Sequence, residues 1–436
     1  MPVHKTSATA TSELTALQQQ IVDSIDEAEW ESLTTELVAA GQPDAENPLD
    51  PDMPAGREEG IAKVVAAKLQ ALGLDVSLHS KLPGRPNVIG RWQGGEGPKL
   101  ILNDHLDTYP AGDHSLWTAC DGKPFNATRQ GNKLIARGTS DTRGNLACTL
   151  LAVKALRDAG VQLRGELLCI YTVDEEKNGT NGSVYVTKEL GITADYEITA
   201  EPTGWTKSEN DWGMSLAVAH SGHCLVEFEV IGSPSHIWRP DSGINANSQM
   251  MKILAALETI GFTHESPNRY GATKPSACVV RIHGGEPREM QFTPYRCKAV
   301  AAIVGMVPGM TADTVMADIE GLLEQSRAQD SDLTVTANFY PQSLFVSATE
   351  ELDDDAQPVA AIRAAYRTLL GSEPDLYRKN AFCDTIRFSE AGIPSVTFGP
   401  GEDGWPPINE YINVNKAVAA AKIYALTILD LLGHES

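Results

Sequence analysis

The sequence predicts a layered α/β domain interrupted by an inserted α+β domain of ferredoxin-like order. Three observations carry that expectation. The short apolar runs KLILN (99–103), ELLCIYTV (166–173) and YEITA (196–200) each lead into an acidic or histidine residue. Open α/β sheets bind ligands beyond the carboxyl ends of their strands, so such endings mark a site. Helical periodicity alternates with these runs, as in a layered domain. From about residue 219 the order changes to β-α-β-β-α-β, and then the first pattern resumes. The expected division is 1–218 (first part of the α/β domain), 219–341 (the inserted domain) and 342–436 (second part of the α/β domain).

The elements follow in order. Residues 11–40 show apolar positions three to four apart, which predicts helix. GQPDAENPLDPDMPAGREEG (41–60) is rich in Pro, Gly and Asp and reads as a loop near the site entrance. A helix over 58–72 stops at Gly73, followed by strands near 75–79 and 87–92. A strand over 99–104 then delivers His105. NLACTLLAVKALRDAG (145–160) places Leu146, Leu150, Val153 and Leu156 on one helical face, with Gly160 as the stop. In the insert, CLVEFEVIG, ACVVRIHGG, CKAVAAIVGMV and LTVTANFY are strands, while INANSQMMKILAALETIG and TADTVMADIEGLLEQSR are helices. The chain closes with the helix QPVAAIRAAYRTLLG, the strand IPSVTFGPG and the helix NVNKAVAAAKIYALTILDLLG. No internal repeat or low-complexity segment is present.

The chemistry concentrates at strand ends. His105 in LILNDHLDTYP, Asp141 in ARGTSDTRGN, Glu175 and Glu176 in YTVDEEKNG, and Glu201 in ITAEPTG can together hold a divalent cation beside a base. Imidazole with carboxylates suits zinc, manganese or cobalt, and the absence of paired thiolates argues against a structural zinc site. Asp107, two residues beyond His105, returns to the same face of a strand and can hold the imidazole. Glu175 and Glu176 are adjacent, and buried together they cannot both ionise freely. A cation resolves the conflict by taking one as ligand and leaving the other for acid/base work.

Composition narrows the classes. The 436 residues exceed one ordinary domain, so two are expected. The formal net charge of −23 disfavours nucleic acid or an anionic membrane as partner. A small anionic carboxylate substrate would then need local positive groups: the metal, His236, Arg239, Arg387 or Arg288. Seven scattered cysteines without a CxxC argue against a disulfide framework. No apolar leader and no stretch of membrane-spanning length is present, so the chain is expected in the cytoplasm. Cys383 reads as packing, and His114, His220, His223 and His283 as structural or surface. There is no GxSxG, phosphate loop or dinucleotide glycine fingerprint.

The order HLDTYP, Trp117, Pro124–Phe125, ARGTSDTRGN, DEE, AEPTG, SPSHIWRPDSGINAN, CDTIRF and GIPSVTFGPG resembles the di-zinc aminoacylase and carboxypeptidase family over residues 55–430. That family includes acetylornithine deacetylase, succinyl-diaminopimelate desuccinylase and glutamate carboxypeptidase. The resemblance implies a metallopeptidase-like catalytic domain with an inserted lid. It implies a first metal on His105, Asp141 and Glu201, with Asp141 bridging to a second metal on Glu176 and a C-terminal histidine. Glu175 would be the general base. His236 would reach the partner subunit's site and stabilise the oxyanion, which implies a homo-oligomer, a dimer or higher. Asn245, Asp384, Arg387 and Arg288 are candidate substrate contacts. Asn245 is equally a turn or cap residue, Asp384 and Arg387 equally an ion pair, and Arg288 equally a solvated loop charge.

The chain departs from the family pattern twice. Pro406, which has no donor, stands where the C-terminal metal histidine is expected. Gly305, in AAIVGMVPG, stands where many members carry arginine. One divalent transition metal per chain is therefore expected, manganese or zinc, with cobalt as an alternative. The sequence is thus expected to encode a metal-dependent hydrolase of a C–N bond in a small carboxylate. The carbon attacked is either an activated aromatic carbon bearing an amine, as in the family's single-metal 5-nitroanthranilate type, or an amide carbonyl, as in a deacylase or dipeptidase. The first is favoured by the missing imidazole. A non-catalytic binding protein on the same fold is the rival from another class. The intact set of five ligating and basic residues argues against it.

Overall fold

The computed structural model of the chain describes residues 14–41, 58–208, 210–265, 274–285, 291–341, 344–404 and 406–435. They fall into two compact units. One lies within 1–218, 352–377 and 383–436, and the other within 219–351 and 378–382. The chain passes from the first unit to the second at 218/219 and back at 351/352, with residues 378–382 again in the second. The predicted loop over 41–60 lies mostly outside the described residues.

Most of an eight-stranded sheet lies in the first unit. Its spatial order is Asp75–Ser80, Pro86–Trp92, Glu166–Thr172, Lys99–His105, Tyr196–Thr199, Ser395–Thr397, Leu216–His220 and Leu376–Lys379. The four middle strands, from Glu166–Thr172 to Ser395–Thr397, run parallel. Within them Leu102 pairs with Ile198 and His105 with Thr172. Parallel central strands are covered on both faces and read as continuous apolar runs. All seven residues of Glu166–Thr172 are buried accordingly. Because these strands point the same way, their carboxyl ends open on one edge. Asp174–Glu176, His105, Glu201 and the 399–410 segment all leave from that edge.

Helices Gly144–Asp158 and Val414–Leu432 pack against each other, and Gln357–Leu370 packs on the latter. Gly160 ends the first of these with φ of +73°, a conformation that costs glycine little. The helix expected over 11–40 is instead two, Ala16–Ser24 and Glu27–Ala40. Asp26 makes the break, since its side chain accepts the Glu29 amide and starts a new helix.

The second unit carries a four-stranded antiparallel sheet in the order Ser276–Gly284, Arg296–Met306, Gly222–Ile231, Thr334–Phe339. With helices Ala246–Leu257 and Ala312–Gln329 this is the expected ferredoxin-like arrangement. Gly222–Ile231 alternates between buried and half-buried residues almost throughout. Its Val226, Phe228 and Val230 join Met250, Ile253 and Ile319 in one core.

Among the described residues, no helix is long and apolar enough to cross a membrane.

Candidate metal centre

The carboxyl ends of the parallel strands bring five predicted residues together. His105 Nε2 lies 3.0 Å from Asp141 Oδ1, 2.9 Å from Glu201 Oε1 and 3.9 Å from Glu175 Oε2. Donor atoms of His105, Asp141 and Glu201 fall within 4.8 Å of one another, as do those of His105, Glu175 and Glu176. The other imidazole nitrogen, Nδ1, is 3.1 Å from the Asp107 carbonyl and 3.4 Å from its Oδ1. A proton there leaves Nε2 bare to ligate.

Asp107 has a second task. Its Oδ1 accepts the Glu175 amide (3.2 Å) and its Oδ2 the Glu176 amide (3.1 Å). The residue that holds the imidazole therefore also fixes the turn bearing the base. That turn starts at Asp174, in a left-handed conformation (φ +68°). Asp174 is bound in turn by Arg85 Nη1 at 2.8 Å.

The electrostatics call for a cation. Burial pushes the Glu175 carboxyl well up, and the neighbouring Glu201 charge adds to the push. Burial and the Asp141 charge do the same to Glu176. Burial opposes charge on His105, but Glu201 and the bonds to Asp107 and Asp141 outweigh it and push the imidazole up. Among the described residues, no donor reaches the buried Oε1 of Glu176. Five acids share one imidazole, and a divalent ion held here would relieve their repulsion, with the idle Glu176 oxygen available to it. The residues present thus fit a metal held by His105, Asp141 and Glu201, with Glu176 in reach.

The other predicted residues are placed as follows. Asp384 is buried and accepts the hydroxyls of Thr172 (2.5 Å) and Ser183. Burial raises its carboxyl to about 6. Arg387 gives two bonds to Glu390 (2.9 and 3.0 Å) and one to the Asn178 carbonyl (3.2 Å), which braces the far end of the acidic turn. Pro406 is exposed in an irregular stretch. In the second unit, His236 is exposed, with its ring edge-on to Phe292 at 5.7 Å. Asn245 caps helix Ala246–Leu257 by accepting the Asn247 and Ser248 amides. Gly305 adopts φ of +71°. Arg288 lies outside the described residues.

Sequence reasoning missed several contributors. Cys383, read as packing, brings its sulfur within 4.8 Å of donor oxygens of Glu175 and Glu201. Arg85, with Glu58, backs the acidic turn from a distant part of the chain. Arg137 and Glu410 hold the Asp141 loop. The only sequence signal was Glu410 lying in the same short segment as Pro406.

Comparison with known proteins places the chain in a family. The profile of Peptidase family M20/M25/M40 matches residues 101–430. N-formyl-4-amino-5-aminomethyl-2-methylpyrimidine deformylase of Bacillus subtilis (strain 168) is 28% identical over 411 residues, covering 88% of this chain and 90% of the relative. Acetylornithine deacetylase of Photorhabdus laumondii is 26% identical over 386 residues, covering 85% and 90%. Among solved structures, human carnosine dipeptidase 1 superposes with a TM-score of 0.71 at 20% identity, covering 95% of this chain and 99% of that one. An M20 family metallo-carboxypeptidase from Sulfolobus solfataricus gives 0.71 at 19% identity, covering 93% and 99%.

Proposed function

We propose, for a chain that belongs to peptidase family M20/M25/M40 and is a metal-dependent C–N hydrolase, that His105, Asp141 and Glu201 hold one divalent metal and that Glu175 is its general base. The observation that carries this reading is the convergence of Asp141 and Glu201 on His105 Nε2, at 3.0 and 2.9 Å, with Glu175 beside them at 3.9 Å. When bound, the cation polarises a substrate oxygen and makes nearby water acidic. Glu175 takes the proton of the attacking water and passes it to the departing nitrogen. Asp107 keeps that base aimed by holding its backbone amide.

Position 406 bears on the metal count. A second cation would find Asp141 and Glu176, but proline offers no third donor, so the proposed content is one manganese, zinc or cobalt ion per chain. A homo-oligomer, with His236 donating to the developing oxyanion in a partner's site, follows from the family likeness. Arg387 enters as a brace, its guanidinium bonded to Glu390 and Asn178.

The substrate we propose is a small N-acyl amine carrying a carboxylate. Support comes from the deformylase and deacetylase relatives, whose names describe removal of small acyl groups. A second reading, hydrolytic replacement of an aromatic amine by hydroxyl, is favoured by Pro406. A single activated hydroxide suffices there if the ring itself absorbs the charge. The test is to assay N-formyl and N-acetyl amino compounds for free amine, and 5-nitroanthranilate for ammonia, with manganese, zinc and cobalt added separately. Deacylation is the expected result. Ammonia from the aromatic amine without deacylation would favour the second reading, and no metal-dependent turnover of any amide would overturn the first.

A further inference from the structure

One carboxylate gathers the backbone of the loop that carries Asp141. Glu410 is fully buried. Its Oε1 accepts the amides of Ser140 (2.7 Å) and Asp141 (2.9 Å), and its Oε2 accepts the Gly138 amide (2.9 Å) and Arg137 Nη1 (2.7 Å). The Glu410 carbonyl accepts the Ala136 amide at 3.1 Å. This loop is not a regular helix, with Gly138 at φ +84° and Asp141 at φ −128°, ψ 88°. The Gly138, Ser140 and Asp141 amides therefore depend on an outside acceptor.

Arg137 extends the clamp. Its Nη2 donates to the carbonyls of Pro407 (2.7 Å) and Pro110 (3.2 Å), and its guanidinium lies 5.0 Å over the Trp117 ring. Pro110 follows directly on the segment carrying His105 and Asp107. On the loop's other side, Ser140 Oγ accepts the Glu402 amide (2.7 Å), and Asn145 Nδ2 donates to the Ser140 carbonyl (2.5 Å). Three separated stretches of chain, 105–110, 137–145 and 401–410, are thus tied to one another.

We infer that Glu410, paired with Arg137, is the positioning residue that sets the Asp141 carboxylate against His105. The inference rests on the metal-centre reading above and adds the element that keeps the centre in register. Asp141 is placed by protein contacts rather than by a second cation.

The test uses the full chain, with cobalt(II) as probe. Affinity is read by competition with a chromophoric chelator, and ligand geometry by the visible bands of bound cobalt. Glu410→Gln is expected to lower cobalt affinity by about 10- to 100-fold, the usual effect of removing a group that orients a ligand, and to shift the bands. Glu410→Asp is expected to recover part of both. Arg137→Lys, which keeps a cation but drops the carbonyl bonds, is expected to change both in the same direction by less. A folded Glu410→Gln protein with wild-type affinity and unchanged bands would overturn the inference. Failure of both Glu410→Gln and Arg137→Lys to fold would also overturn it, leaving the pair a general stability element. Wild-type protein that takes up no cobalt would remove the metal-centre reading, and this inference with it.

Discussion

Arg85→Met is expected to destabilise the first unit in a strongly pH-dependent way. Arg85 is 3% exposed and Glu58 is fully buried. The guanidinium Nε donates to both Glu58 oxygens (3.0 and 2.9 Å), and Nη1 donates to Asp174 at 2.8 Å. Methionine keeps much of the stem's volume and removes the charge. Asp174 retains two donors on Asn181, at 3.0 and 2.8 Å, so the damage falls on Glu58. Burial already pushes that carboxyl up, with Arg85 pulling against it. Without Arg85 the folded state holds Glu58 neutral, while the unfolded chain ionises it near the ordinary value of ~4.3. Keeping the proton at pH 7 costs at most about 3.7 kcal/mol, at ~1.36 kcal/mol per unit, and at pH 5 about 1 kcal/mol. The folded form binds the extra proton, so the variant's deficit shrinks as pH falls toward the unfolded value. The assay is chemical unfolding of wild type, Arg85→Met and Arg85→Met/Glu58→Gln in parallel at pH 7 and pH 5. The double variant is expected to recover most of the loss. A deficit equal at both pH values, or no recovery in the double variant, would refute the reasoning.

Four further outcomes are expected. Glu175→Gln lowers turnover by ~10²–10⁴-fold while metal content holds, and a rate above roughly a tenth of wild type would mean another base operates. Elemental analysis after dialysis gives one equivalent of metal per chain, and Pro406→His raises that figure; two equivalents in the wild type would contradict the single-metal reading. Burial, with Lys379 and Arg378 acting in the same direction, lowers the His220 imidazole to about 3. Its contribution to stability is therefore complete above the unfolded value of ~6.5 and declines as pH falls toward 3, by at most about 1.4 kcal/mol per unit; unfolding at pH 7, 5.5 and 4.5 should show a shallower decline in His220→Phe. Mixed Glu175→Gln and His236→Ala subunits regain part of the activity each lacks alone, and no gain after verified subunit exchange would count against a shared site.

The legible part of this protein is what periodicity and strand endings encode. The runs before His105, Glu175 and Glu201 are buried on both faces, so they read as largely apolar segments, with Glu197 a buried exception, and their ends stand out. The inserted unit was legible for a different reason: residues 222–231 alternate, because one face of that strand packs on the core. Strand Leu376–Lys379 carried no such signal, being four residues long and containing Arg378 and Lys379. The clamp on Asp141 was hidden because Glu410 lies far from residue 141 in the chain, and the bond is made to backbone, which has no residue identity. Asn245 was open between a cap and a site role, and the hydrogen bonds to Asn247 and Ser248 give it the cap.

The order of strands in the sheet also bears on how the chain is made. Ser395–Thr397 lies between Tyr196–Thr199 and Leu216–His220, yet it leaves the ribosome roughly 175 residues after the second of them. At ~5–20 residues per second that is a delay on the order of ten to thirty seconds. Through that interval the acidic metal ligands have emerged, the edge of Tyr196–Thr199 is unpaired, and Glu410 has not been synthesised. The nascent chain thus exposes an open sheet edge beside unneutralised carboxylates. An unpaired edge invites intermolecular strand pairing, and the surplus of like charge beside it discourages approach by a second copy of the same chain. The acidity of this centre then protects the protein before it has any catalytic use.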